Sequence, residues 1–511
     1  MHARTIQWAR LFELPERPGL PLQGRLRLAI VQAVLDGRLA SGAPLPSSRE
    51  LARLLGLSRN TVTSAYLQLI DEDFLESRPR SGVYVARDAC LPAVAPSTTP
   101  PAPRAGAAPP VWATRVRRSL AGRPTLAKPD QWRRYPYPFV YGRHDPQLFP
   151  TEDFRECCAR SLARAQVPQW TPDFETDDVP ELIEQIRLRL LPRRGVFAAK
   201  EEILVTIGAQ HAYYLLAEAL FDESTRVGLE EPGHPHARNS FSLRRPRFAS
   251  VAVDADGVAP DGLPAVDYLY VTPSHQSPTT ATLGLERRHR LLELAAARDI
   301  VVIEDDYEAE NLYAGEPMPA LKSLDRDGRV IYVGSVSKSL SPALRLGYIV
   351  APRALIDELR GLRHAMLRHP SAFLQHAYAL FLSLGHHESH ARRVNAAMQE
   401  RLALAADALR AHLPGFGFQL PQGGGSIWVQ APEGIDAAEL SLAARGHGVL
   451  IEAGDVYFLE PPDPCPYFRL RLSSIAADRI AAGIGALGVA VAELAHGRGE
   501  PSREGQAAEN A

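Results

Sequence analysis

Lysine, cysteine and long apolar runs are all scarce in this 511-residue chain, and each shortage narrows what it can be. The four cysteines, Cys90, Cys157, Cys158 and Cys465, have neither disulfide nor metal-ligand spacing, and two are adjacent. A stapled secreted scaffold and a zinc framework are therefore excluded, and reduced thiols are expected. No run offers the ~18 apolar residues that cross a bilayer. The opening MHARTIQWARLFELPERP lacks the apolar block of a secretion signal. A soluble, cytoplasmic protein with no membrane partner is expected. Charged residues at 23% and hydrophobic residues at 45% rule out disordered and collagen-like polymers and leave room for two or three cored domains. No repeat of ~20–50 residues appears, so a solenoid is excluded.

What is present is uneven. The net charge of −2 conceals +3 over residues 1–88, +5 over 89–130 and −10 over the remainder. A basic front end on an acidic body is the asymmetry expected when one end meets a polyanion, although +3 also lies within ordinary scatter. Residues 89–130 hold 9 Pro and 10 Ala without periodicity, so they read as an extended, semi-rigid linker. The divisions expected are a front domain at 14–88, the linker at 89–130, a body at 131–497 and a frayed tail at 498–511.

In the front end, Leu22, Leu26, Ala29, Ile30 and Ala33 recur at helical spacing. Beyond Asp36-Gly37, Ser47 or Ser48 can cap a short helix that Gly56 ends, and Ser58 can cap a second one burying Val62, Ala65, Tyr66 and Leu69. Such a pair is a helix-turn-helix whose second helix offers Ser58, Arg59, Asn60, Thr61 and Thr63 to a major groove. Two alternating stretches around Pro79-Arg80-Ser81 then form a hairpin with a basic tip suited to phosphate or the minor groove. The stretch PLPSSRELARLLGLSRNTVTSAYLQLIDEDFLESRPRSGVYV closely resembles the winged helix-turn-helix of the GntR superfamily of bacterial regulators. That resemblance implies contacts to double-stranded operator DNA from Arg49, Arg59 and Thr61, with Gly82 shaping the wing. Pro79 stands near where the family often has glycine.

From about Tyr135 to Gly497, apolar strands alternate with helices: EEILVTIG then AQHAYYLLAEALF, RVGLEEP, VDYLYVTP, LERRHRLLELAAARD then IVVIEDDY, and RVIYVGSVSKSL then LRLGYIVAP. This spacing predicts an α/β body with parallel strands and crossover helices, its crevice beyond the strands' C-terminal ends. The lysines sharpen the reading. Against 53 Arg there are only Lys128, Lys200, Lys322 and Lys338. A lysine inside an ordered site does what arginine cannot, which is lose its proton and form a Schiff base. Lys128 falls in the linker, Lys200 in a charged turn and Lys322 in a loop, whereas Lys338 follows the apolar strand Val330–Gly334. Its companions are Glu304-Asp305-Asp306-Tyr307 after Ile300–Ile303. Those acids suit a protonated pyridine nitrogen, and equally a metal or a solvated strand end. No His or Cys at ligand spacing joins them, so no metal is expected. Arg345 can bind a phosphate with Ser335 or Ser337, or pair with a neighbouring acid; Gly208-Ala209-Gln210 opens a helix whose N–H groups suit an anion.

Together these residues resemble the pyridoxal 5'-phosphate domain of fold-type I aminotransferases, and the whole chain resembles MocR/GabR-type regulators. The carrying motifs are GAQHAYYLLA, LEEPGHP, VTPSHQSPT, IEDDYEAE, GSVSKSLSPALRLGY and RLRLSS. The resemblance implies that Lys338 forms the cofactor's internal aldimine, Asp305 pairs with the ring nitrogen, Tyr307 reaches the ring hydroxyl, and Ser335 and Arg345 hold the phosphate. Arg469, with Arg471 as the rival in RLR, would receive the carboxylate of a small amine or amino-acid effector. His234 replaces the usual tyrosine and stacks on the cofactor or is an ordinary loop histidine. Ser277 and Thr280 replace the usual Asn and Gly, which favours sensing over turnover. The expectation is a homodimeric regulator of a nearby catabolic or B6-related gene, with an effector forming an external aldimine. The alternatives are an aminotransferase carrying a DNA-binding domain, and a body that only dimerises.

Overall fold

The computed structural model describes residues 8–12, 14–15, 19–89, 111–117, 119–120, 122–126, 128–141, 145–173, 177–308, 310–313, 318–336 and 340–499. They form two compact units, Met1–Arg115 and Val116–Ala511. Half of the proline-rich stretch expected as linker, residues 90–110, lies outside the described residues, as do 500–511 of the expected tail.

In the first unit, helices α1 (Leu22–Leu35), α2 (Ser48–Leu55) and α3 (Arg59–Asp71) precede strands β1 (Leu75–Arg78) and β2 (Gly82–Val85). Leu26, Ile30 and Ala33 of α1 close on Leu51 of α2 and on Val62, Ala65 and Leu69 of α3, the periodic positions of each helix. Of the two serines that could start α2, Ser47 does so, its hydroxyl accepting the Glu50 N–H at 3.2 Å. Gly56 ends α2 in the left-handed region at φ 66°, and Ser58 caps α3 by accepting the Thr61 N–H at 3.1 Å. Caps of this kind contribute about 1 kcal/mol each. The antiparallel pair β1–β2 runs from Leu75↔Val85 to Arg78↔Gly82, with the Arg78 guanidinium 4.1 Å from the centre of the Tyr84 ring. This is a winged helix-turn-helix.

The second unit centres on an eight-stranded sheet. Its strands are β3 (Ile203–Thr206), β4 (Arg226–Glu231), β5 (Arg247–Asp254), β6 (Gly257–Val258), β7 (Tyr268–Val271), β8 (Val301–Asp306), β9 (Val330–Ser335) and β10 (Gly347–Val350). Their order is β3-β10-β9-β8-β7-β4-β5-β6. The strands β9, β8, β7, β4 and β5 are mutually parallel, as the alternation predicts. The sheet is nevertheless mixed, because β10 runs antiparallel to both β9 and β3. Buried apolar side chains such as Leu204, Ile303, Val333 and Ile349 meet α4 (Ala209–Leu220) on one face. Helix α5 (Pro235–Phe241) follows β4.

A smaller antiparallel sheet contains β11 (Gly417–Phe418), β12 (Ser426–Gln430), β13 (Glu452–Ala453) and β14 (Tyr467–Arg471), in the order β11-β12-β14-β13. It is covered by α6 (Ala477–Gly499), whose Ile480, Ile484, Leu487 and Ala490 are buried with Ile427, Val429 and Phe468. Over Ala477–His496 this helix is long and apolar enough to span a bilayer, a stretch the sequence reading did not single out. Its Ile480, Ile484, Leu487 and Ala490 serve the core, while Val489 stays exposed.

Candidate functional site

Strand β8 carries three consecutive acids, and all are buried: Glu304, Asp305 and Asp306 are 0%, 1% and 2% exposed. Strand alternation sends Glu304 and Asp306 to one face and Asp305 to the other. Glu304 accepts the backbone N–H groups of Leu321 and Lys322, each at 2.8 Å. Asp306 accepts Arg194 Nε at 2.7 Å and the Tyr332 hydroxyl at 2.8 Å. Asp305 accepts hydroxyls from Tyr213 on α4 and from Tyr270 on β7, the latter at 2.7 Å. A solvated strand end is thereby excluded. No cluster of three or more metal-ligating side chains occurs among the described residues. Burial, followed by the Asp305 charge, pushes both phenols well above their ordinary value, so they stay donors.

Strand pairing assembles a second group beside the first. Ser335 at the end of β9 pairs with Gly347 at the start of β10, and Gly347 pairs with Thr206 at the end of β3. That row sets Arg345 against Gly208, which opens α4. Arg345 Nη2 donates to the Ile207 carbonyl at 2.9 Å. A Cβ on Gly208 would stand 3.2 Å from the guanidinium carbon, so the glycine keeps the space between Arg345 and the helix start open. Gly208 has φ 84° and no side chain caps the helix, whose first N–H groups therefore remain for an anion. The Gln210 amide reaches Ser240 Oγ at 2.5 Å and so bridges α4 to α5. Burial, reinforced by Arg363 and Arg345, lowers His211 to about 4 and keeps it neutral beside this group. Ser337 and Lys338 lie outside the described residues, which stop at Val336 and resume at Leu340.

His234 stands edge-on to Tyr213, with ring centres 6.3 Å apart, and its Nδ1 is 3.5 Å from Ser277 Oγ. It thus adjoins the phenol that bonds Asp305. Tyr307, half-buried, follows the strand; burial first, then Glu308, pushes its phenol far up. A cavity of about 430 Å³ is lined by Tyr307, Glu308, Ser335 and Val336 together with Arg194 and Asp306; it lies on the Asp306 face of β8, and Asp305, His234, Gly208 and Arg345 do not line it.

The two candidate effector arginines occupy one face of β14, two residues apart, and both are buried against internal carboxylates. Arg469 Nε donates to Glu452 Oε2 at 2.7 Å. Its guanidinium carbon lies 5.0 Å from the centre of the Tyr457 ring. Burial works against this charge, but Glu452 outweighs it and holds Arg469 firmly protonated. Arg471 pairs with Glu308 and donates to Ser473 Oγ at 3.1 Å. Sequence reasoning missed Glu308, Glu452, Tyr213 and Tyr270. It also passed over the run Gly423-Gly424-Gly425, where a Cβ on Gly423 would strike the Asn311 carbonyl at 2.0 Å and Gly425 N–H donates to Glu308 at 3.0 Å. An acid inside the apolar VLIEAG and three glycines before a strand were the available signals.

In the first unit Arg49, Ser58, Arg59, Asn60 and Gly82 are exposed, and Thr61 and Thr63 are half-buried. Ser58 Oγ also meets Thr61 Oγ1 at 2.8 Å, so the cap holds both hydroxyls at the start of α3.

A winged helix ahead of a body whose acid-bearing strand ends face an arginine-lined helix start defines a fused regulator and aminotransferase-type architecture. Residues 172–480 match the aminotransferase class I and II family, and residues 22–85 match the bacterial regulatory proteins of the gntR family. The HTH-type transcriptional regulator TauR of Rhodobacter capsulatus is 41% identical over 91% of this chain and 95% of its own length. The probable rhizopine catabolism regulatory protein MocR of Rhizobium meliloti is 34% identical over 77% of this chain and 78% of its own. Among solved structures, LysN, an alpha-aminoadipate aminotransferase from Thermus thermophilus complexed with N-(5'-phosphopyridoxyl)-L-leucine, is 29% identical with a TM-score of 0.67, covering 74% of this chain and 97% of that one. The chain belongs to the MocR-type transcriptional regulators, in which a GntR-type winged helix is fused to an aminotransferase class I and II domain.

Proposed function

We propose that this protein is a cytoplasmic, homodimeric regulator that binds operator DNA through its winged helix and senses a small amine or amino acid through pyridoxal 5'-phosphate held in its body. The observation that carries the reading is the meeting of Ser335, Arg345 and the Gly208 helix start one strand away from buried Asp305.

The donor set fits the cofactor. The space kept open by Gly208, with a guanidinium on one side and helix N–H groups on the other, suits a phosphate dianion. Asp305, fixed by two phenols, is oriented to accept a proton-bearing ring nitrogen. His234 flanks the ring position, and Tyr307 supplies a hydroxyl that stays protonated. Ser337 and Lys338 are the proposed second phosphate donor and attachment point. When bound, the group supplies an aldehyde with which an amine condenses. Arg469 takes the effector's carboxylate: Glu452 holds its Nε edge, so the terminal nitrogens of the fork face the newcomer. In the front end Arg49, Arg59, Asn60 and Thr61 meet DNA, with Arg80 at the wing tip. TauR and MocR, which match at higher identity than the aminotransferase relatives, are named as regulators, which favours sensing over turnover.

The test is to purify the full chain, measure its visible absorbance and bound cofactor, and titrate amines and amino acids while following both the spectrum and operator binding. The reading predicts one bound cofactor per chain, a spectral change with one class of amine, and a matching change in DNA affinity. A colourless protein that takes up no cofactor contradicts it. Multiple-turnover keto-acid formation favours an aminotransferase instead.

A further inference from the structure

Lys128, one of four lysines among 57 basic residues, has no task in the function proposed above. It is half-buried, and its nitrogen lies 4.9 Å from the centre of the Trp132 ring and 5.4 Å from that of Tyr141. The guanidinium carbon of Arg471 lies 5.9 Å from that same Tyr141 ring centre. The Tyr141 backbone N–H donates to Glu452 Oε1 at 2.6 Å. Glu452 Oε2 accepts Arg469 Nε at 2.7 Å and the Tyr457 hydroxyl at 3.1 Å. One aromatic ring and one carboxylate thus stand between Lys128 and both arginines of β14.

The neighbouring stretch is also fastened. Asn239 on α5 donates its amide to the Pro124 carbonyl at 2.8 Å. Helix α5 starts directly after His234, beside the Asp305 group. Downstream, Tyr137–Pro138 pairs in parallel with Val449–Leu450, which a single residue, Ile451, separates from Glu452 at the start of β13. Pro124 is thus bonded to α5, and Tyr137–Pro138 to the strand just before β13, on either side of Lys128 in the chain.

The forces on Lys128 are opposed. Two ring faces favour its cationic form, and the Glu452 charge attracts it. Burial acts against the charge and, with Arg133, outweighs them, so the amine is held below its ordinary value. A cation whose burial is opposed in this way is favoured by one added negative charge nearby. An anion at Arg469 adds negative charge on the side Lys128 faces, and linkage makes the effect reciprocal.

We propose that Lys128 is a positioning residue of the effector site, tying residues 122–134 to Arg469 through Tyr141 and Glu452. Anion docking at Arg469 and seating of this segment then strengthen each other. The inference rests on the proposed function only in calling Arg469 the effector anchor. It gives the stretch that follows the proline-rich run a direct sense of site occupancy.

The test uses the full-length protein and hydrogen–deuterium exchange of the peptides spanning 119–134. Wild type is compared with Lys128→Met, which keeps the packing stem and loses the charge, with Lys128→Arg, and with Glu452→Gln. Sodium propionate, set against sodium chloride at equal ionic strength, is the anion probe. The expected result is about tenfold weaker protection of 122–134 in Lys128→Met, with Lys128→Arg restored to near wild type. Propionate should raise protection about fivefold in wild type and not in Lys128→Met. Equal protection in wild type and Lys128→Met, or an equal propionate response in both, overturns the proposal. Should Glu452→Gln fail to fold, the Lys128 pair decides alone. Exchange is read whether or not cofactor is bound, so failure here is distinct from an absent visible band.

Discussion

Replacing Gly208 with alanine inserts one methyl group between the start of α4 and Arg345. The new Cβ would stand 3.2 Å from the guanidinium carbon and from Nη2, and 3.3 Å from Nη1. At φ 84° and ψ 171° the backbone occupies a region essentially reserved for glycine, a strain of about 1–3 kcal/mol. The guanidinium cannot simply retreat, because Nη2 is held by the Ile207 carbonyl at 2.9 Å. It must turn off the phosphate position and lose charge-assisted hydrogen bonds of about 1.5–3 kcal/mol. The predicted outcome is a 10- to 100-fold rise, roughly, in the dissociation constant for pyridoxal phosphate. Equilibrium dialysis of cofactor-free protein measures it, with Arg345→Ala and the double variant alongside. If the methyl acts through Arg345, the double variant loses about what Arg345→Ala loses alone, because the two changes remove one contact. An unchanged dissociation constant in Gly208→Ala, or losses that add in full, refutes the reasoning. Backbone strain by itself would lower the melting temperature and leave cofactor affinity alone.

Other outcomes follow from separate parts of the molecule. Burial raises the Glu230 carboxyl to about 7, against the lowering by hydrogen bonds from Thr272 and Gln276. Because the folded value exceeds the unfolded one, this stability is whole below the unfolded value and lost as pH rises through the folded one, on the order of 3 kcal/mol by pH 8. Glu230→Gln should therefore unfold at higher denaturant than wild type at pH 8 and lose that advantage at pH 4; a pH-independent difference would contradict it. At the other end of the chain, Arg59→Ala and Arg49→Ala should weaken operator binding, and each phosphate contact removed should reduce the slope of log affinity against log salt by about 1. Fluorescence anisotropy across salt concentrations reads this, and an unchanged affinity would remove either arginine from the interface.

The front end was legible because its determinants are local. Caps at Ser47 and Ser58 and the left-handed Gly56 sit within a few residues of the elements they bound. The body was legible in its strands and less so in its details. Strand β8 was read as ending at Ile303, whereas it continues to Asp306, and that extension sets which acids share a face. The antiparallel β10 also had a signal. The connection from Val336 to Leu346 contains only the 3-10 turn Pro342–Leu344 among its described residues, too little for the helical crossover a parallel return needs. Glu452 had a sign in the apolar VLIEAG, but its pairing with Arg469, and that of Glu308 with Arg471, had none. Glu308 lies 163 residues before Arg471, and only the meeting of the two sheets joins them.

The central claim is that the ε-amine of Lys338 carries pyridoxal phosphate. Borohydride reduction of the purified full-length protein, followed by digestion and peptide mass mapping, tests it most directly. A phosphopyridoxyl adduct on the peptide containing Lys338, and on none containing Lys128, Lys200 or Lys322, is the predicted result. An unmodified Lys338 peptide, or an adduct on another lysine, contradicts it.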